Sequence, residues 1–139
     1  LLAESLGKRL DRNGEVVNYG RTPIVAVGTT DMHAQTQQHQ EGRLNKVVQF
    51  LEIADPEERA VVHNPFADVP YFAKFDGLDM NKALKIALDA NEAALTSDNR
   101  YNARFTLPRL NEYMLGQLMY FLRMLMLSIS PVWRFISAS

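Results

Sequence analysis

Apolar positions recur along this chain in two rhythms, and the switches between them mark out its elements. Leu2, Leu6 and Leu10 stand at i, i+4 and i+8, a spacing that predicts a helix over residues 1–10. Gly7 and the Asp11-Arg12-Asn13-Gly14 cluster stop it with turn chemistry. Residues 15–22 are polar and read as extended or looped. Pro23-Ile24-Val25-Ala26-Val27-Gly28 is a short apolar run rich in β-branched residues, which predicts a strand buried on both faces. Gly28-Thr29-Thr30 reads as a turn, with Thr30 or Asp31 as helix N-cap and Gly42 closing that helix. Asn45 to Ile53 predicts a second strand. Residues 54–77 carry Pro56, Pro65, Pro70 and Gly77 and read as irregular. Asp79 then caps the clearest helix of the chain. Its stripe of Met80, Ala83, Leu84, Ala87, Leu88, Asn91, Ala94 and Leu95 faces a core, while Lys82, Lys85 and Asp89 stay solvated. Tyr101 to Leu107 alternates as a third strand ended by Pro108, and Asn111 starts a last helix to about Leu127.

Helix and strand alternate throughout, the α/β pattern of a layered sheet with helices on both faces. In such sheets ligands bind beyond the carboxyl ends of the strands, which directs attention to Gly28–His33. The length of 139 residues suits one domain, and 47% hydrophobic residues is too apolar for a disordered chain. A net charge of −1 argues against nucleic-acid or membrane-surface binding. With no cysteine there is no disulfide, thiolate metal site or cysteine nucleophile. The most membrane-like stretch, Tyr113 to Ile129, has 17 residues and is interrupted by Arg123, so a core helix is the better reading. Charged residues follow the start almost at once, without a secretory pattern, and the chain reads as cytoplasmic.

The stretch from Gly28 to Gly42 is the unusual one. Gln35, Gln37, Gln38 and Gln40 give it more amide than a plain surface helix needs, and amides suit hydroxyl-rich ligands such as sugars. A helix start also offers unbonded N–H groups to anions. His33 and His39 lie six residues apart, about 240° around a helix, which argues against a shared metal site because paired helical ligands sit at i, i+4. His33 is a candidate proton-transfer group near neutral pH. The pattern alone favours the other reading, a hydrogen-bonded structural histidine at a helix start. His63 sits among breakers without a partner nearby and reads as structural. No phosphate-cradling loop, dinucleotide glycine pattern or Ser/His/Asp arrangement is present.

Four segments together carry a resemblance. They are Ala3-Glu4-Ser5-Leu6-Gly7-Lys8, Thr22-Pro23-Ile24-Val25-Ala26-Val27-Gly28-Thr29-Thr30-Asp31-Met32-His33, Phe105-Thr106-Leu107-Pro108 and Leu115-Gly116-Gln117-Leu118. In that order and spacing they resemble the C-terminal half of the glucose-6-phosphate (phosphoglucose) isomerase family. The resemblance covers residues 1 to about 122. It implies an incomplete three-layer α/β/α sandwich of the sugar-isomerase (SIS) type. It also implies an aldose–ketose isomerase that interconverts glucose 6-phosphate and fructose 6-phosphate with neither metal nor organic cofactor. His33 would then help to open the sugar ring, and Gly28, Thr29 and Thr30 would contact substrate. The parent enzyme would be a homodimer whose histidine crosses the interface. The alternative is a non-catalytic sugar-phosphate-binding module of the same fold, and a third reading is a structural α/β domain that assembles through its last helix.

The chain also departs from the family. The family's proton-shuttling glutamate and its serine/threonine phosphate loop belong upstream of the matching segments, and Glu4 corresponds to a different glutamate. The start within a helix, without methionine, is therefore expected of a piece of a larger enzyme that is inactive alone. From Arg123 onward the acidic helix end and lysine-bearing element of the family are replaced by Met124-Leu125-Met126-Leu127-Ser128-Ile129-Ser130-Pro131-Val132-Trp133. Residues 123–139 are thus expected to be a divergent apolar tail, the pattern left by a shifted reading frame or faulty gene model. Such a tail should also favour self-association.

Overall fold

The computed structural model describes residues 6–11, 13–66 and 68–136. Ala26–Leu110 form one compact unit, and the N-terminal hairpin and last helix belong to another.

The hairpin is built from β1 (Lys8–Leu10) and β2 (Val16–Tyr19), paired antiparallel. This replaces the helix expected over residues 1–10, of which residues 1–5 lie outside the described set; Leu6 is helical. Turn chemistry overrides the leucine spacing here. Asp11 Oδ1 accepts the N–H groups of Asn13 and Glu15 at 2.8 and 2.9 Å, and Gly14 takes φ of 85°, open to glycine at no steric cost. The reversal folds Lys8–Leu10 onto β-branched Val16 and Val17. The register slips between Lys8–Tyr19 and Leu10–Val16, with Asn18 left-handed at φ 46°, so β2 carries one extra residue.

The other unit centres on β3 (Val48–Ile53) and β4 (Asn102–Leu107), a parallel pair in unbroken register from Val48 opposite Asn102 to Ile53 opposite Leu107. Parallel strands need a crossover, and its helix is α3 (Met80–Ser97). Asp79 starts α3 as expected, its Oδ1 accepting from Asn81 N at 2.9 Å and Lys82 N at 3.3 Å. The end of α3 is a Schellman motif. Asn99 N donates to Thr96 O at 3.1 Å and Arg100 N to Leu95 O at 2.8 Å, with Asn99 left-handed at φ 54°. Leu95 is completely buried, and Leu107 at the end of β4 joins it among the buried hydrophobic side chains.

Between β3 and α3 the chain is irregular, as its breakers predict, apart from the short helix α2 (Pro70–Ala73). Residues 60–64 run against 76–80 through Val62 N to Leu78 O, Gly77 N to Val62 O and Met80 N to Ala60 O, each at 2.9 Å. The last helix, α4, runs from Glu112 to Ile136, beyond the expected end near Leu127. Asn111 caps it, Oδ1 accepting from Met114 N at 2.9 Å. Among the described residues no helix is long and apolar enough to cross a membrane.

One further expectation is corrected. The run Pro23–Gly28 forms no strand: residues 23–27 have no regular structure, Gly28 belongs to the turn, and Ile24, Val25 and Val27 are 73%, 88% and 64% exposed. β-branched residues favour a strand only where neighbouring strands and covering side chains receive them, and among the described residues none pairs with this run. Lys85 and Asp89 stay about half exposed, as expected, and they also take part in ion pairs. With Glu92 on the same helix they reach Glu52 on β3 and Arg104 on β4. The described residues form a small mixed α/β fold of helices with two two-stranded sheets.

Candidate functional site

The candidate site is the junction from Val27 to His33. It leads into α1 (Thr30–Glu41), a polar helix with no buried side chain. Thr29 is the N-cap residue, but its side chain makes no capping bond. Asp31 in the first turn reaches backward, to the backbone before the helix. Val27 N donates to Asp31 Oδ2 at 2.7 Å, and Asp31 N donates to Val27 O at 2.9 Å. Met32 N adds a bond to Thr29 O at 3.1 Å. Asp31 thus contributes a negative charge where the helix dipole favours one.

This arrangement spends the N–H groups of Val27, Asp31 and Met32. Those of Gly28, Thr29 and Thr30 donate to no acceptor among the described residues, and all three residues are exposed. His33 is exposed as well. It stands four residues after Thr29 and three after Thr30, the spacings that share one helix face. The three turn residues and the histidine picked out from the sequence therefore come together at the start of α1. Chemically, the junction combines hydrogen-bond donors for an anion or hydroxyl group with an imidazole that can give or take a proton.

Part of the rest of α1 is engaged in bonds of its own. Gln37 Nε2 donates to Glu41 Oε2 at 3.3 Å and Gln40 Nε2 to Asp98 Oδ2 at 2.9 Å, so two of the four amides are already engaged. Arg100 Nη1 donates to Gly42 O at 3.0 Å, tying the end of α1 to the segment after α3. Gly42 closes α1 with extended backbone, φ −73°, and its lack of a side chain serves close approach, since a Cβ would stand 2.4 Å from Gln38 O. His39 is half-buried toward the other end of the helix. Burial, and secondarily the positive charge of Lys46, lower its pKa and favour the neutral imidazole. His63 is exposed in the irregular segment. Among the described residues no three of His, Asp and Glu are grouped to hold a metal ion.

Sequence reasoning missed two features. The backward reach of Asp31 was legible only as a possible cap. The five-residue ion cluster was not legible at all, because its members come from β3, α3 and β4. Arg104 bridges Glu52 at 3.3 Å, Asp89 at 2.7 Å and Glu92, while Lys85 bridges Glu52 at 3.2 Å and Asp89 at 3.1 Å. Burial acts to raise the Glu52 pKa, but hydrogen bonding and charge from Lys85, with the charge of Arg104, prevail and lower it. Asp89 is lowered chiefly by its bond from Arg104 and then by that from Lys85.

No family model matches the chain. Relatives do. It is 38% identical over 122 residues to the glucose-6-phosphate isomerase of Carboxydothermus hydrogenoformans, covering 88% of this chain and 26% of that protein. The glucose-6-phosphate isomerase of Prochlorococcus marinus is 38% identical over 119 residues, 85% of this chain and 20% of the relative. That of Rubrobacter xylanophilus is 35% identical over 119 residues, 86% of this chain and 26% of the relative. Among solved structures, a hypothetical protein from Thermus thermophilus superposes with a TM-score of 0.73 at 30% identity, over 85% of this chain and 28% of the other. The chain spans about a quarter of the length of the curated relatives it matches. Over some 120 residues, then, it is homologous to the glucose-6-phosphate isomerases.

Proposed function

We propose that this chain is the part of a glucose-6-phosphate isomerase that carries its ring-opening histidine. The reading rests on one observation above all. The segment that resembles the family, Thr22–His33, folds so that unbonded N–H groups at Gly28, Thr29 and Thr30 stand at the same helix start as an exposed His33. In the reaction, His33 moves a proton between the ring oxygen and the anomeric hydroxyl, so that the C1–O5 bond opens as the hydroxyl becomes a carbonyl. The turn residues hold sugar hydroxyl or phosphate oxygens. A glutamate then carries a proton between C2 and C1 through an enediol, and the segments matching the family leave this glutamate to another part of the enzyme. No metal or organic cofactor is called for.

In the complete enzyme residues 1–122 belong to a three-layer α/β/α sandwich of the sugar-isomerase type, in a cytoplasmic homodimer whose histidine is lent across the interface. The apolar run Pro23–Val27, which pairs with no strand among the described residues, supports that placement, since such a run is at home between other strands. Residues 123–139 form a divergent tail. The test is a titration of the 139-residue chain with fructose 6-phosphate, followed by backbone and imidazole NMR. Shifts at Gly28–Thr30 and His33 without turnover are expected. Turnover by the chain alone would overturn the division of labour, and absence of shifts at the junction would remove the site. Retained ring opening after His33→Ala in a complete enzyme would favour the alternative, a sugar-phosphate-binding module without catalysis.

A further inference from the structure

We propose that Asp31 is the positioning residue of this junction: its carboxylate clasps the backbone of Val27 and so fixes the turn that sets Gly28, Thr29 and Thr30 beside His33. The proposal deepens the sugar-phosphate reading and rests on it for the identity of the ligand, but the clasp itself stands on geometry. Asp31 bonds Val27 twice, at 2.7 Å through its side chain and at 2.9 Å through its own N–H, which closes a ring around residues 28–30. Beyond that ring, Met32 N donates to Thr29 O at 3.1 Å and Thr30 begins α1, but no other bond among the described residues ties Gly28 and Thr29 to the chain before the helix. Their N–H groups are unbonded among the described residues, and the Thr29 side chain makes no cap bond. A Cβ on Gly28 would meet no atom within 4 Å, so packing does not fix the turn either. A turn exposed on all sides keeps one conformation only if a local bond enforces it, and a preformed turn spares a ligand the entropy of ordering it.

The side-chain bond needs an acceptor oxygen at that place and not a charge. Asparagine supplies one in nearly the same position, and alanine supplies none. This difference separates positioning from general electrostatics. It also separates it from helix stability, because Asp31→Asn and Asp31→Ala both remove the charge at the helix dipole.

The experiment uses the 139-residue chain and its Asp31→Ala and Asp31→Asn variants, with amide exchange and chemical shifts read residue by residue and fructose 6-phosphate as probe. In Asp31→Ala the Val27 amide should exchange at least about tenfold faster, with the Gly28–Thr30 resonances displaced and the Gln35–Gln40 amides unchanged. In Asp31→Asn the Val27 amide should keep its protection. Probe-induced shifts at the junction should weaken several-fold in the alanine variant and persist in the asparagine one. An unaltered Val27 amide in Asp31→Ala overturns the proposal, as does an asparagine variant that behaves like alanine. If alanine unravels α1 as a whole, the asparagine variant decides by its Val27 amide. If the unsubstituted chain ignores fructose 6-phosphate, the sugar-phosphate reading fails while Val27 exchange still decides the clasp.

Discussion

Arg104 on β4 donates through Nη2 to Asp89 Oδ1 on α3 at 2.7 Å, and through Nη1 to Glu52 Oε2 on β3 at 3.3 Å. One guanidinium thus joins both strands of the parallel pair to the helix that connects them. The fork geometry and permanent charge of arginine suit a position that must serve several carboxylates at once.

This cluster makes stability depend on pH with a definite sign. The Glu52 and Asp89 carboxyls are held below their ordinary values. Their contribution is fully present above about pH 4–5 and is lost as the pH falls through their folded pKa values. Lys85 is held above its ordinary value, first by its bond to Asp89 and then by that to Glu52. Its contribution is present below about pH 10 and is lost as the pH rises through the folded value. Urea midpoints measured from pH 3 to 11 should form a plateau with losses at both ends. Arg104→Met should lower the plateau and flatten the acid limb, since the carboxylates left behind repel one another. An acid limb as steep as that of the unsubstituted chain would show that the cluster contributes nothing.

The cap of α3 gives a second test. Asp79 receives two N–H groups of the first turn, so Asp79→Ala should cost about 1 kcal/mol in chemical denaturation. Asp79→Asn should recover most of the loss, because an amide oxygen caps nearly as well.

Asn99 gives a third. Its φ of 54° lies in the left-handed region, where a β-branched side chain is strained by about 1–2 kcal/mol. Asn99→Val should lower thermal stability accordingly, while Asn99→Gly should leave it within a few tenths of a kcal/mol. Equal behaviour of the two variants would deny the Schellman ending its role.

His33 is tested in a complete enzyme carrying this segment. His33→Ala should reduce turnover of the closed-ring sugar by about 10²-fold or more, the usual worth of a proton-transfer group. An open-chain substrate should lose much less. Equal losses on the two substrates would remove the ring-opening role.

The sequence made legible what local chemistry decides. Asp79, Gly42, Asn111 and Pro108 each act on backbone within a few residues, and each ends or begins an element near where its chemistry places it. The turn at Gly28–Thr30 and the helix carrying His33 were readable for the same reason. Residues 8–10 were misread because leucine spacing is a weak local preference, and the Asp11–Gly14 reversal outweighs it. Pro23–Val27 failed differently. Its composition is that of a strand, but a strand is a relationship with neighbours that this run does not have among the described residues. The Arg104 cluster was invisible because its members converge only once β3, α3 and β4 have assembled.

The parallel register of β3 and β4 also dictates an order of events. Every pair in it, from Val48 with Asn102 to Ile53 with Leu107, joins residues far apart in the chain, whereas β1 and β2 meet across one short turn. Loop closure makes the distant pairing slow, and local hairpins form in about 1–10 μs. The hairpin and α3 should therefore form early, and the strand pair should wait until α3 brings its ends together. During that interval Val48–Ile53 is an unpaired apolar segment beside a crossover still being built. Premature encounters between chains, and the chaperones that prevent them, would compete for that same stretch.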